Sequence, residues 1–148
     1  MSPPLRLARP DELAEFLGRQ PAEHADLTGA PLDEATAAFE PYLQALLEGR
    51  HRLFVLPEAW AWIGEPPETR AGAGRAWLYQ LLVEPEARGC GHGRGMLDAL
   101  HARLRREGMR EIWLNVHEAN SAAIRLYRAC GYRTIARYHG SRHMRLRL

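Results

Sequence analysis

The chain has 148 residues, a mass of 16.8 kDa and a formal net charge of +2, which suits one domain with a single hydrophobic core. All twenty basic residues are arginines, and we interpret this as compositional bias rather than as a nucleic-acid-binding signal. No apolar run reaches the length of a membrane span, no signal-peptide pattern is visible, and Cys90 and Cys130 do not resemble a disulfide framework. We therefore expect a cytoplasmic protein that binds neither nucleic acid nor a membrane.

The first third of the chain predicts a short strand and two helices. Residues 5–9 alternate between apolar and polar side chains like a strand. A helix is predicted over residues 10–18, with proline and acids in its first turn and a glycine at its end. Residues 19–31 are predicted to form a loop, and residues 32–48 a second helix that Pro41 should kink or break.

Two apolar segments follow, which predict a β-hairpin. Residues 51–56 and 59–63 are strand-like and are separated by a Pro-Glu turn. Residues 65–75 contain prolines and glycines without a helical pattern after them, so we expect a flexible connection there.

The middle of the chain contains a buried strand, a glycine-rich turn and the start of a helix. Residues 77–83 are apolar and aromatic, and Pro85 should end this strand. The helix after the turn has apolar residues at helical spacing, namely Met96, Leu97, Leu100 and Leu104. Glycines allow close backbone approach, and the free N–H groups of a helix start favour negative charge. This order of elements predicts an anion site, with a pyrophosphate as the expected ligand.

The last third predicts a strand, a short helix and a closing hairpin. Residues 111–117 form the predicted strand, and Asn120 is a favourable N-cap for a helix over residues 121–130. Residues 132–138 and 143–148 should form a hairpin around a glycine. The exposed final strand would permit a homodimer through strand pairing.

Two motifs resemble those of the GNAT superfamily of acetyl-CoA-dependent N-acetyltransferases. Arg88, Gly91 and Gly93 fill the defined positions of the Arg/Gln-x-x-Gly-x-Gly signature. A second signature is matched by Leu114, Val116, Asn120, Ala123, Leu126, Tyr127, Gly131 and Tyr132. The resemblance covers residues 76–132 densely. It implies one α/β (α+β) domain over residues 1–148, with a mixed sheet of about seven strands flanked by about four helices. It also implies central strands that splay apart after a bulge.

The resemblance also implies where acetyl-CoA, the acetyl donor, binds. The backbone of Leu81, Leu82 and Val83 would pair with the pantetheine arm, and one N–H would polarise the thioester carbonyl. Asn120 would contact the pantetheine, and Tyr127 would lie near the sulfur, as cofactor contact and as general acid. The pyrophosphate would be held by the turn and the helix start, formed by Arg88, Gly89, Cys90, Gly91, His92, Gly93 and Arg94. No metal is expected.

The general base is less well defined. Some branches of the superfamily have a glutamate four residues before the position of Leu81, where this chain has Trp77. The branch that acetylates N-termini of ribosomal proteins has a glutamate at the position of Asn115, which can orient a water but cannot hold a proton. A water chain to bulk solvent is the expected proton route, with His117, Glu84 and Glu65 as alternative bases.

The acceptor expected from these features is the primary amine of a small molecule, which attacks the thioester directly in a ternary complex. Acidic residues around the second helix would attract a cationic amine; they are Glu23, Asp26, Asp33 and Glu34. Two alternatives stay open at this point. One is a protein or peptide N-acetyltransferase, and the other is a non-catalytic module that binds acetyl-CoA.

Overall fold

A computed structural model describes residues 3–28 and 31–148, and within these ranges it describes side chains outside residues 21–28, 32, 35, 36, 38, 39 and 69. The described helices are α1 (Pro10–Thr28), α2 (Leu32–Leu47), α3 (His92–Arg106) and α4 (Ser121–Ala129). Short 3-10 turns lie at Glu68–Arg70 and Pro85–Ala87. The described strands are β1 (Arg6–Leu7), β2 (Arg52–Leu56), β3 (Ala59–Gly64), β4 (Arg75–Val83), β5 (Glu111–His117), β6 (Arg133–Tyr138) and β7 (Ser141–Arg147).

The strands form one mixed sheet in the order β1-β2-β3-β4-β5-β7-β6. Neighbouring strands are antiparallel except β4 and β5, which are parallel. The predicted sheet of about seven strands flanked by four helices is therefore confirmed, as is the single α/β fold class.

The parallel pair at the centre of the sheet separates after four residues. Residues 75–78 of β4 pair with residues 111–114 of β5, and the pairing ends at Leu78 and Leu114. The register of β4 with β3 shifts at the same level, because Gln80 opposes Trp62 while Leu78 opposes Ile63. Tyr79 is thus the extra residue of a β-bulge, which bends a strand and increases its twist. The predicted splay of the central strands after a bulge is confirmed.

Each face of the sheet carries its own hydrophobic core. The core under α3 and α4 includes Phe54, Leu78, Met96, Leu97, Leu100, Leu104, Ile112, Leu114, Val116, Ile124, Tyr127, Tyr132 and Met144. The core under α1 and α2 includes Phe16, Leu46, Leu53, Val55, Trp60, Trp62 and Leu82. Because strand side chains alternate between faces, Trp113, Asn115 and His117 of β5 lie on the face opposite α3 and α4.

The predicted end of the first helix is wrong, and the break that Pro41 could cause in the second helix does not occur. The helix predicted over residues 10–18 continues to Thr28, so most of the predicted loop 19–31 is helical. Phe16 is fully buried against the sheet, and buried Gln20 donates from Nε2 to the Phe16 carbonyl oxygen at 3.1 Å. This packing outweighs the helix cost of Gly18, roughly 1 kcal/mol. Pro41 lies within α2, which continues through it as one helix.

The connection over residues 65–74, expected to be flexible, is held by side-chain contacts. It contains the 3-10 turn Glu68–Arg70. The Arg75 Nη1 donates to the carbonyl oxygens of Arg70 at 3.1 Å and Ala71 at 3.4 Å. Glu111 accepts from the Arg75 Nε at 2.9 Å, so this turn is tied to both β4 and β5.

Candidate active site

The gap between β4 and β5 exposes one edge of the β4 backbone. The Glu84 N–H donates to the Glu58 carbonyl oxygen at 2.9 Å, which continues the β3–β4 ladder. Backbone groups along an antiparallel pair alternate in direction, so the N–H and C=O of Leu82 face β3. By the same alternation the N–H groups of Leu81 and Val83 face the gap, beyond the point where β5 pairs with β4. An extended ligand arm can pair with this edge.

The glycine-rich turn ends in a helix start that no side chain caps. Gly91 is the N-cap of α3 with φ 86°, in the left-handed region that favours glycine. Because glycine has no side chain, the N-cap position supplies no capping hydrogen bond. A Cβ added to Gly91 would meet no atom within 4 Å. The amide groups of the first turn, from His92 to Arg94, are therefore open, and the neighbouring Cys90 thiol is exposed. Such a helix start attracts anions.

Two contacts hold this turn against β4. The Arg88 Nε donates to the Val83 carbonyl oxygen at 3.1 Å. A Cβ on Gly93 would lie 2.9 Å from Leu126 Cδ2 and 3.5 Å from Val83 Cγ2. Gly93 is thus needed for the close approach of α3 to β4 and α4, and the open amide groups lie at the end of the β4 edge.

Helix α4 carries the two polar residues expected to face the cofactor. Asn120 accepts a hydrogen bond on Oδ1 from the Ala123 N–H at 3.2 Å, which confirms the predicted N-cap. Tyr127 is 7% exposed and packs in the α3/α4 core, with its ring centroid 5.4 Å from that of Tyr132. Burial raises the pKa of the Tyr127 hydroxyl well above its usual range. Its hydroxyl is therefore protonated at neutral pH and can act as a donor.

The predicted base candidates differ in their surroundings. Glu84 accepts from Arg19 at 2.9 and 3.1 Å and from the Trp60 Nε1 at 3.0 Å, and these hydrogen bonds lower the pKa of its carboxyl group. His117 accepts on Nδ1 from the Ala119 N–H at 3.1 Å. A carboxylate with a lowered pKa is a weak base, so Glu84 is poorly suited to take a proton.

Asn115 lies just beyond the last pair of β4 and β5, and it is exposed. Two of the acidic residues expected to attract the acceptor, and one of the alternative bases, are exposed as well. Asp33 and Glu34 are exposed, as is Glu65. The side chains of Glu23 and Asp26 lie outside the described residues.

A polar cluster that the sequence did not predict lies near Asn115. Arg70 donates from Nε to the His143 Nδ1 at 3.1 Å and from Nη2 to the Tyr138 hydroxyl at 2.8 Å. His143 is the β7 register partner of Asn115, so the cluster lies beside the gap. The alternation of β7 would have placed His143 on the face of Asn115, but no sequence pattern connects Arg70 to either.

Within the described ranges, no group of three or more His, Cys, Asp or Glu side chains has the arrangement of a metal site. The same part of the chain contains no helix that is long and apolar enough to cross a membrane.

A parallel pair that separates beside an open, glycine-rich helix start defines an acetyltransferase of the GNAT type. The model of the acetyltransferase (GNAT) family matches residues 12–132, and the chain belongs to this family.

Named relatives match the chain over less than half of its length. A mycothiol acetyltransferase of Geodermatophilus obscurus is 39% identical over 67 residues, which are 45% of this chain and 22% of that protein. A [ribosomal protein bS18]-alanine N-acetyltransferase of Escherichia coli is 34% identical over 64 residues, 43% of each chain. The chain thus matches less than half the length of these relatives.

Solved structures share the whole fold at low sequence identity. The PaiA N-acetyltransferase from Thermoplasma acidophilum, in complex with coenzyme A, superposes with a TM-score of 0.73, at 16% identity and with 100% of both chains covered.

Proposed function

We propose that this protein transfers the acetyl group of acetyl-CoA to a primary amine of a small molecule, by direct attack in a ternary complex. The observation that carries the proposal is the β4 backbone edge at Leu81 and Val83, which faces the gap and leads to the uncapped start of α3. An extended pantetheine arm would pair with such an edge as an added strand does. The pyrophosphate would then bind the amide groups of the turn and the first helical turn, from Gly89 to Arg94.

In this arrangement the backbone also assists the chemistry. One N–H of the β4 edge, from Leu81 or Val83, would donate to the thioester carbonyl oxygen. This N–H would be fixed in place before negative charge develops on the carbonyl oxygen. Such a preorganised donor is usually the largest single contribution to stabilising the transition state. Asn120, already fixed as the α4 N-cap, would contact the pantetheine.

Tyr127 would protonate the leaving thiolate. A tyrosine hydroxyl is protonated at neutral pH, and burial raises the pKa of this one further. No hydrogen-bond partner occupies it within the described part of the chain. Proton transfer by a positioned side chain typically contributes a factor of about 10² to 10⁴ in rate.

The attacking amine must lose a proton before or during attack. An alkylamine has a pKa of about 10.4, so roughly one molecule in a thousand is neutral near pH 7.4, a cost of about 4 kcal/mol. Exposed Asn115 would orient a water at the gap that passes this proton to bulk solvent. His117 is the alternative acceptor, whereas the ion pair with Arg19 disfavours Glu84.

A peptide or protein N-terminus is the second candidate acceptor. The observation that favours it is the 34% identity to the Escherichia coli enzyme named for ribosomal protein bS18 alanine. Asn115 argues against it, because that branch is expected to have a glutamate there. A module that binds acetyl-CoA without turnover is a third candidate function. Its only support is that Trp77 and Asn115 stand where other branches of the family are expected to have a glutamate.

The experiment that tests this function is CoA release, detected by mass, with polyamines, aminoglycosides, amino acids and short peptides. With the amine that is used best, Tyr127→Phe should lower kcat by about 10² or more and leave the Kd for acetyl-CoA within about twofold. Tyr132→Phe is the matched control, since it removes a neighbouring buried hydroxyl that we do not place at the sulfur. Equal turnover of Tyr127→Phe and wild type would refute the acid role, and turnover of peptides alone would refute the small-molecule acceptor.

A further inference from the structure

Arg70 lies at the edge of the gap, on the sheet face that carries Asn115. Its side chain donates hydrogen bonds to His143 on β7 and to Tyr138 on β6. His143 opposes Asn115 in the β5–β7 register, and its ring packs edge-on against Trp77 of β4 with centroids 5.2 Å apart. Trp77 lies one residue before the last β4–β5 pair, so Arg70 reaches the point where the two strands separate.

The surroundings of Arg70 carry an excess of positive charge. Arg70, Arg75 and Arg145 all lie over the Trp113 ring, with their Cζ atoms 5.2, 5.2 and 5.5 Å from its centroid. Glu111 pairs with Arg75 at 2.9 Å and with Arg145 at 3.5 Å. Arg70 forms no salt bridge with any residue that the structure describes. One carboxylate against three guanidinium groups leaves this cluster with a net charge of +2, and Arg70 is the member without a carboxylate partner among the described residues.

The same cluster offers hydrogen-bond donors rather than acceptors. His143 accepts from Arg70 on Nδ1, so its neutral form carries the proton on Nε2 and donates there. Arg70 keeps its Nη1 donors, because its described hydrogen bonds use Nε and Nη2. Trp113 is 3% exposed, and its Nε1 has no partner among the described residues. A ligand group that complements this face must accept hydrogen bonds and carry negative charge.

The position of the Arg70 backbone is fixed before any ligand binds. Arg75 donates to the Arg70 carbonyl oxygen at 3.1 Å, and Glu111 of β5 holds Arg75. The Arg70 N–H donates to the Pro67 carbonyl oxygen at 2.8 Å within the 3-10 turn. The hydrogen bonds to His143 and Tyr138 hold the guanidinium of Arg70 above this fixed backbone. The side chain therefore loses little conformational freedom when it binds a planar anion.

We infer that Arg70 and the His143 Nε2–H bind an anionic group of the acceptor, so that the acceptor is a small amine that also carries a carboxylate or a phosphate. The inference rests on the proposed function and narrows its substrate class. The planar fork of arginine matches both anions with two parallel hydrogen bonds. With the anion at Arg70, the amine of a short molecule lies near Asn115 and the gap. A simple polyamine, which has only cationic groups, would be a poor acceptor.

The test compares acceptors in matched pairs at saturating acetyl-CoA, with CoA release detected by mass and rates expressed per neutral amine. The pairs are L-phenylalanine with L-phenylalaninamide, and O-phosphoethanolamine with ethanolamine. Wild type should prefer the anionic member of at least one pair by tenfold or more in kcat/KM. A preference in the first pair indicates a carboxylate site, and a preference in the second pair indicates a phosphate site. Arg70→Gln should abolish this preference by raising KM for the anionic member, with little change for the uncharged one and none in acetyl-CoA affinity.

Arg9→Gln is the control, since Arg9 is an exposed arginine that pairs with Asp11 at the start of α1. It should keep the full preference. Equal use of both members by wild type, or an Arg70→Gln protein that slows both members equally, would overturn the inference.

If no acceptor is turned over, the proposed function is refuted. A binding measurement then tests the anion site independently of turnover. N-acetyl-L-phenylalanine and its amide, and N-acetyl-O-phosphoethanolamine and N-acetylethanolamine, would be titrated into the CoA complex by calorimetry. Binding of the anionic member alone in either pair, lost in Arg70→Gln, would support the site, and equal or absent binding of both members in both pairs would overturn it.

Discussion

At the scale of single residues, the polar pair of His101 and Tyr132 shows how burial governs ionisation next to the site. His101 is 4% exposed, and its Nε2 shares a hydrogen bond of 2.7 Å with the Tyr132 hydroxyl. Burial, which disfavours the charged imidazolium, lowers the pKa of His101 to about 4. The ring of Tyr132 lies against that of Tyr127, so a charge at His101 would disturb the packing of the proposed acid.

This pair predicts a loss of stability in mild acid. The unfolded chain binds a proton at His101 below about pH 6.5, whereas the folded protein binds it only near pH 4, so the unfolded state holds more protons in between. The stabilisation is complete above pH 6.5 and falls by about 3 kcal/mol as the pH drops to 4. The free energy of unfolding in urea, measured from pH 7.5 to 4, checks this.

His101→Gln is the matched variant, because an amide can still bond the Tyr132 hydroxyl but does not titrate there. Its unfolding free energy should fall less steeply than that of wild type between pH 6.5 and 4.5. Parallel pH profiles for the two proteins would show that the fold does not lower the pKa of His101.

Contacts between residues that are close in the sequence could be predicted, whereas contacts between distant residues could not. The N-cap role of Asn120 was predictable because its partner, Ala123, is three residues away. The hydrogen bond from Arg70 to His143 spans 73 residues, and only the β5–β7 register brings its surroundings to the gap. Local patterns contain no information about such a contact.

At the scale of elements, the end of β3 is fixed by packing that leaves no room for a side chain at Gly64. A Cβ there would lie 2.3 Å from His51 Cδ2. The His51 ring cannot move aside easily, since it accepts from the Trp62 Nε1 at 3.1 Å and stacks on Tyr79 with centroids 4.7 Å apart. Tyr79 is the bulge residue, so this cluster also fixes the bend that opens the gap.

We therefore expect Gly64→Ala to destabilise the protein by roughly 1–3 kcal/mol through overpacking. Gly18→Ala is the control, because a Cβ at that helical position meets nothing within 4 Å and should stabilise by about 0.5–1 kcal/mol. Urea unfolding of both variants measures the difference. A Gly64→Ala protein as stable as wild type would contradict the assigned packing.

The helices differ in how far local rules predicted them. The glycine-rich start of α3 and the N-cap of α4 carry strong local signals, and both were placed correctly. The length of α1 was underestimated, since Gly18 is a local stop signal and the burial of Phe16 against the sheet is a tertiary effect. The bulge at Tyr79 has no local signal at all, and only the resemblance to a family implied it.

At the scale of the whole molecule, the gap exists because each central strand has a second neighbour. Residues 80–83 of β4 remain paired with β3, and residues 115–117 of β5 remain paired with β7. The sheet can therefore separate in the middle without losing either strand. The two sequence motifs border this gap, which is why the sequence indicates a cofactor site more specifically than an acceptor site.

The most direct test of this account is residue-resolved amide hydrogen exchange with and without acetyl-CoA. Saturating acetyl-CoA should slow exchange at Leu81 and Val83 and at the amides of residues 91–94, and leave the β6 amides unchanged. ADP alone should protect only the α3 start, and pantetheine alone only the β4 edge. Unchanged exchange at both places under saturating acetyl-CoA, or protection confined to another part of the chain, would contradict the proposed cofactor site.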